Sequence, residues 1–224
     1  MVSSLTPLLS LLLITLVATS CLSVIVTVFS LQVSMKTTHL EPFKCFPKIS
    51  TCNASLYHIS YGGDNIDDIA TFYSVSTSQI EPIMRATEQD YLITVPCSCN
   101  DTDGLGGYFY HTTYTVKSND TFANIRNFVY SGQAWPIDEE LDQNKELTVH
   151  LPCGCSEKTD SQIVVTYTVQ RNDTPASIAA LLNATLDGME SINEVLAQNP
   201  SFIDVTWVLY VPRELNGLPL SKGK

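Results

Sequence analysis

Cys45, Cys52, the pair Cys97-Ser-Cys99 and the pair Cys153-Gly-Cys155 are the residues whose spacing says most about chemistry. In an exported chain an even set of thiols closes into a disulfide framework, and in the cytosol the same set would suggest zinc. The C-x-C spacing favours disulfides, because zinc knuckles use C-x2-C. Oxidised cysteines are not nucleophiles, and neither His-Glu-x-x-His nor Gly-x-Ser-x-Gly occurs. His39, His58, His111 and His150 are scattered. Asp138, Glu139, Glu140 and Asp142 could supply the paired carboxylates of a glycosidase, but a local acidic run is usually a solvated face. The expectation is a protein that is not an enzyme and carries no cofactor and no metal.

The N-terminus bears on the compartment. Residues 1–34 carry no charge, and Pro7 to Leu22 form an apolar segment suited to a secretory signal, with the small residues Ala18-Thr-Ser20 near a cleavage position. A second apolar stretch, Val24 to Val33, leaves that position open. A signal anchor is the rival reading; Lys36, Lys44 and Lys48 would then hold the remainder in the cytosol, against the cysteines and sequons. A lipoprotein cysteine at Cys21 fits its preceding residues poorly. Five Asn-x-Ser/Thr sequons, at Asn53, Asn100, Asn119, Asn172 and Asn183, agree with an extracellular or cell-surface chain. The net charge of −11 opposes nucleic acid and anionic membranes and points to uncharged partners.

The elements that position these residues repeat. Tyr114-Thr-Val116 followed by Asn119-Asp-Thr121 recurs as Tyr167-Thr-Val169 followed by Asn172-Asp-Thr174, with a weaker copy in His58-Ile-Ser60 followed by Asp64. Each copy continues with an isoleucine five residues after the aspartate: Ile69, Ile125 and Ile178. The alternation predicts a short strand and then a helix, capped at Asp64, Asp120 and Asp173 or at the threonine beside the last two, with Pro175 in the first turn. A second helix is expected from Met189 to Leu196. Closing strands are expected at Tyr91–Val95, Leu147–Leu151 and Thr206–Val211, each ended by a proline. The result is an α+β chain of three tandem units, residues 45–96, 108–152 and 164–213, with a tail at 214–224. Each unit is too small to be comfortably stable alone, so cross-links between units are expected.

Tyr-Thr-Val, Asp-Thr, the isoleucine five residues on and Val-Pro at the close resemble LysM domains, the third unit most of all. The order C-x6-C, unit, C-x-C, unit, C-x-C, unit resembles the ectodomain of plant LysM receptor kinases and their soluble or lipid-anchored relatives. That resemblance implies bridges Cys45 to Cys99, Cys52 to Cys155 and Cys97 to Cys153. Two departures stand out: Pro82 falls inside the candidate second helix of unit 1, and unit 2 lacks the apolar stripe of a second helix. With Tyr130-Ser-Gly-Gln-Ala-Trp-Pro136, they make the chain look most like the exopolysaccharide-receptor branch.

The resemblance implies non-catalytic binding of a microbial glycan, an exopolysaccharide or an N-acetylglucosamine-containing chain, with a co-receptor LysM kinase as a further partner. The implied groove lies between the loop after the first strand and the loop before the last. In unit 2 these positions are Lys117, Ser118, Asn119 and Asp120 with Ser131, Gln133 and Trp135; in unit 3 they are Gln170, Arg171 and Asn172 with Asn199, Pro200 and Ser201. Trp135 is suited to stacking on a sugar ring and equally to capping a small core. A soluble secreted lectin that sequesters chitin or peptidoglycan fragments, and the targeting module of a cell-wall hydrolase, are the alternative functions.

Overall fold

Three strand–helix–strand segments merge into one seven-stranded sheet in a computed structural model that describes residues 39–102, 105–137, 141–158 and 160–217. The apolar segment 1–34, the acidic residues Asp138, Glu139 and Glu140, and the tail beyond residue 217 lie outside the described residues. Strands β1 (Thr51–His58), β2 (Ile80–Arg85) and β3 (Glu88–Thr102) with helix α1 (Ile66–Phe72) make the first unit. The second has β4 (Leu105–Thr115), a single helical turn α2 (Phe122–Asn124) that runs into a π-turn over Ile125–Val129, and β5 (Glu146–Pro152). The third has β6 (Gln162–Thr168), α3 (Pro175–Leu181), α4 (Leu186–Ile192), α5 (Glu194–Gln198) and β7 (Val208–Glu214). The strand order is β5-β4-β3-β1-β6-β7, with β2 paired to β3.

The repeat does in space what its sequence requires. Ile69, Ile125 and Ile178 are all buried, each turned inward by the helix that follows the opening strand. The caps are Asn65, Thr121 and Thr174, whose side chains accept from backbone amides of the first turn; Pro175 follows the last. None of the three aspartates is a cap, since each is held by the turn that precedes its helix.

Three local expectations are corrected. The region around Pro82 is not a helix but β2, an outer strand on β3 where proline's missing donor is tolerated. The predicted single helix from Met189 to Leu196 is two short helices broken at Asn193, whose side chain bonds Met189 O and both Tyr210 N and Tyr210 O and so ties the break to β7. The prolines do not stop their strands. Pro152 and Pro212 lie on β5 and β7, the strands at the two ends of the sheet order, and Pro96 falls on β3 between its β2 pairing, which ends at Ile93, and its β4 pairing, which starts at Ser98. At Pro96 only β1 is a neighbour, so one side of β3 asks for no donor.

β3 therefore runs through Cys97 and Cys99 and becomes the partner of β4, making units 1 and 2 continuous. Units 1 and 3 join through a short parallel pairing of Ser55 with Val165 and Leu56 with Thr166. Alternation then divides the interior. Leu56, Ile93 and Val164 enter a core shared by units 1 and 2, while their neighbours Tyr57, Leu92 and Val165 enter a second core around unit 3. The units share two cores rather than holding three. Disulfides Cys45–Cys99, Cys52–Cys155 and Cys97–Cys153 close as the resemblance implied, spanning 54, 103 and 56 residues.

Candidate functional site: loop pairs at the unit ends

The aspartate of each repeat organises the turn after the opening strand. In unit 3 the Asp173 carboxylate accepts from Gln170 N at 2.7 Å and from the Tyr167 hydroxyl at 2.8 Å. In unit 2 Asp120 accepts from Lys117 N at 2.7 Å and from the Tyr114 hydroxyl at 3.0 Å. Burial and the neighbouring carboxylate push the Tyr114 hydroxyl's pKa up to about 12, so it stays a donor at physiological pH. In unit 1 Asp64 accepts from Tyr61 N at 3.1 Å and sits 3.3 Å from His58 Nε2. The recurrence of Tyr or His six residues before Asp is thus a tether between strand and turn. It shapes the loops and engages Asp120 through one carboxylate oxygen, Oδ2.

Asn119 and Asn172 occupy the left-handed position of these turns, with φ of 71° and 70°, which asparagine tolerates better than most residues. Both are exposed, as are Lys117, Ser118 and Arg171, while Gln170 is half-buried. In unit 3 the facing loop is pinned at its base, Val169 N donating to Trp207 O and Thr206 N to Val169 O. Asn199, Pro200 and Ser201 are exposed on that loop, followed by the exposed ring of Phe202 set edge-on to Trp207. The two unit 3 loops are tied at Val169, and Phe202, which the sequence reading passed over, is exposed beside Ser201.

Unit 2 differs from expectation. The loop facing Lys117–Asp120 carries Asn144 and Lys145, fixed by Asn144 N to Val116 O and Val116 N to Lys145 O. Trp135 lies instead against His150, about 16 Å further along β5 at ~3.3 Å per residue, with its ring edge-on to Phe109. It caps a packed surface. Ser131 and Gln133 are fully buried and cannot reach a sugar. Ser131 Oγ accepts from Ile59 N at 2.9 Å, and Gln133 Nε2 donates to Tyr57 O at 2.7 Å. Tyr130 is buried beside them and its hydroxyl donates to Phe72 O. The Tyr130–Trp135 stretch is a seam between units 1 and 2, because a backbone without a second helix here leaves amides and carbonyls of unit 1 that only side chains can satisfy.

Among the sequons, Asn53 is exposed, Asn100 is half-buried with its amide near His111 Nε2, and Asn183 is half-buried with Nδ2 donating to Glu214 O. Asn183 is the least suited of the five to carry a glycan in the folded chain.

The LysM domain family matches residues 167–212, from the tethered tyrosine to the proline of β7. Residues 167–212 are a LysM domain. The chain is similar to LysM domain-containing GPI-anchored protein 1 of Arabidopsis thaliana, 25% identical over 180 residues that cover 69% of this chain and 43% of that relative. Protein LYK5 of the same plant is 26% identical over 159 residues, 61% of this chain and 24% of that one. The chain spans less than half the length of these curated relatives. A solved ectodomain of a receptor like kinase has the same fold, with a TM-score of 0.58, 20% identity and coverage of 79% of this chain and all of that one. Three disulfides set the chain on the oxidising, extracellular side of the cell. Among the described residues no helix is long and apolar enough to cross a membrane.

Proposed function

We propose that this protein binds microbial carbohydrate without catalysis, as the extracellular part of a pattern-recognition or symbiosis receptor at the cell surface, working beside a co-receptor LysM kinase. The reading is supported by the unit 3 loops: the chain leaving β6 is tied by backbone hydrogen bonds of Val169 with Thr206 and Trp207, Arg171, Asn172, Asn199, Pro200 and Ser201 are exposed on the two loops, and the Phe202 ring is 52% exposed. Locked loops present backbone donors and acceptors at little ordering cost, and an exposed ring offers a face to the C–H groups of a pyranose. Lys117, Ser118 and Asn119 of unit 2 offer a second, smaller loop without an aromatic.

An exopolysaccharide is the preferred ligand, on the likeness of units 1 and 2 to the exopolysaccharide-receptor branch; an N-acetylglucosamine glycan is the alternative. A glycan array with the secreted, disulfide-intact chain tests both. Binding to bacterial exopolysaccharide that Phe202→Ala weakens about tenfold is the expected result. Binding confined to chitin oligomers overturns the exopolysaccharide assignment, and cleavage of any labelled glycan overturns the non-catalytic one.

A further inference from the structure

His111 and His150 are 39 residues apart in the chain and directly opposite each other in the fold. They pair across β4 and β5, with Nδ1 of one ring 2.6 Å from Nδ1 of the other and the rings edge-on, centroids 4.7 Å apart. Both lie on the face of the sheet that the core leaves uncovered. Tyr110, Thr112 and Tyr114 alternate inward, while His111, Thr113 and Thr115 stand beside His150, Thr148 and Glu146 on the outer side. His111 is exposed and His150 half-buried, so the pair is open to solvent. That outer row holds no lysine or arginine, and its one carboxylate is Glu146.

The backbone under the pair is fixed. Beside His111 the Thr112 hydroxyl bonds Phe72 O and Ser74 Oγ, tying β4 to unit 1, and His150 O accepts from Trp135 N at 2.8 Å. The His111 ring stacks on Phe109 at an interplanar angle of 21°, and Trp135 covers Phe109 edge-on. Asn100 Nδ2 lies 3.2 Å from His111 Nε2. Turned about, the same amide presents Oδ1, which accepts from an Nε2–H and leaves Nδ1 as a lone pair; metal-bound imidazoles use such an outer partner. As found, the two neutral rings share one hydrogen bond, with a proton on one Nδ1. With each ring's single proton on Nε2, the facing nitrogens become a chelate, and imidazole nitrogen suits zinc, copper and nickel dications. At metal–nitrogen lengths of about 2.0 to 2.1 Å, two neighbouring ligands stand roughly 2.8 to 3.4 Å apart, so a modest rotation of the rings admits the ion. The net charge of −11 favours a cation. The sulfurs of Cys52, Cys97 and Cys155 also cluster, but all three are closed in disulfides and offer no thiolate.

We propose that His111 and His150 form a two-histidine site for a divalent transition-metal ion, copper or zinc, on the open face of unit 2. Nδ1 of each ring is the ligand, Asn100 Oδ1 accepts from His111 Nε2–H, and water takes the remaining positions. The site stands apart from the carbohydrate-binding reading above. The test is calorimetry on the secreted, disulfide-intact chain, titrated with zinc chloride and copper chloride in a non-coordinating buffer at neutral pH, with magnesium chloride as the reference. One site per chain is expected, tighter for copper than for zinc, with magnesium failing to displace either. His111→Gln and His150→Gln should each weaken zinc at least tenfold, and the double variant should bind little worse than either, because a chelate once broken is not broken again. His39→Gln, which removes the half-buried histidine beside Glu41, should leave zinc affinity unchanged. Long-range proton–nitrogen spectra of the unaltered chain supply a readout free of folding effects: zinc should shift Nδ1 of both rings together while each Nε2 keeps its proton. Zinc affinity unchanged in either glutamine variant, a response from one ring alone, or displacement of zinc by equimolar magnesium overturns the site.

Discussion

Replacing Asp173 by alanine tests whether the repeated aspartate builds the loops. The carboxylate accepts two hydrogen bonds, from Gln170 N and the Tyr167 hydroxyl, and Tyr167 is fully buried. Hydrogen bonds to a charged group contribute about 1.5 to 3 kcal/mol each, but Asp173 is half-exposed and water replaces part of the loss, so a total near 2 to 3 kcal/mol is expected. For a chain of this size that lowers Tm by roughly 4 to 12 °C. Scanning calorimetry under non-reducing conditions reads the shift, and hydrogen exchange reads the place: the Gln170 amide should lose protection while Tyr210, in β7, keeps it. Glycan affinity should fall with the loop, because ordering it is then left to the ligand. Asp120→Ala should reproduce the thermal effect in unit 2. An Asp173→Ala protein with unchanged Tm and an equally protected Gln170 would refute the tether, as would an equal loss from the exposed Asp187→Ala.

Three further outcomes are expected. His58 is buried, and burial first, against the pull of Asp64, lowers its pKa below 6.5; the unfolded chain then takes up a proton the folded chain refuses, so stability is full above about pH 6.5 and falls as pH drops. Urea midpoints from pH 7.5 to 5.5 should slope less steeply in His58→Gln, and equal slopes reject this. Removing Cys52–Cys155 with paired serines should cost about 3 to 5 kcal/mol by denaturation, since it closes the longest of the three loops; a loss below 1 kcal/mol would show the sheet alone holds units 1 and 3. Trp135→Ala should destabilise by about 2 to 3 kcal/mol through lost packing on Phe109 while leaving glycan affinity unchanged in the folded protein, and weaker binding at equal folding would restore it as a sugar contact.

Much of the local structure was legible because the repeat encodes it in contiguous residues. The inward isoleucines, the Thr121 and Thr174 caps, and the strand–helix order follow from spacing that any short segment must obey. The first cap was misplaced because Asn65 and Asp64 are both good acceptors, and only the position of His58 claims Asp64 for the turn. Gln133, Ser131 and Trp135 were misread for a related reason. Polar residues and a tryptophan in a loop look like a binding surface, yet here the missing second helix of unit 2 exposes backbone groups of unit 1 that those side chains must satisfy. No period in the sequence marks such a seam.

The sequence by itself determined the three repeats, the α+β class, the oxidising compartment and, through the resemblance of its cysteine order, the pairing of the bridges. Only the tertiary structure decided that the units share one sheet and two cores, because strand pairing such as Leu56 with Thr166 depends on partners far apart in the chain. The junction of Arg126, Thr168 and Thr206 likewise exists only after folding. Arg126 comes from the π-turn, Thr168 from the end of β6 and Thr206 from the loop before β7, and what brings them together is strand pairing and packing that local spacing does not record.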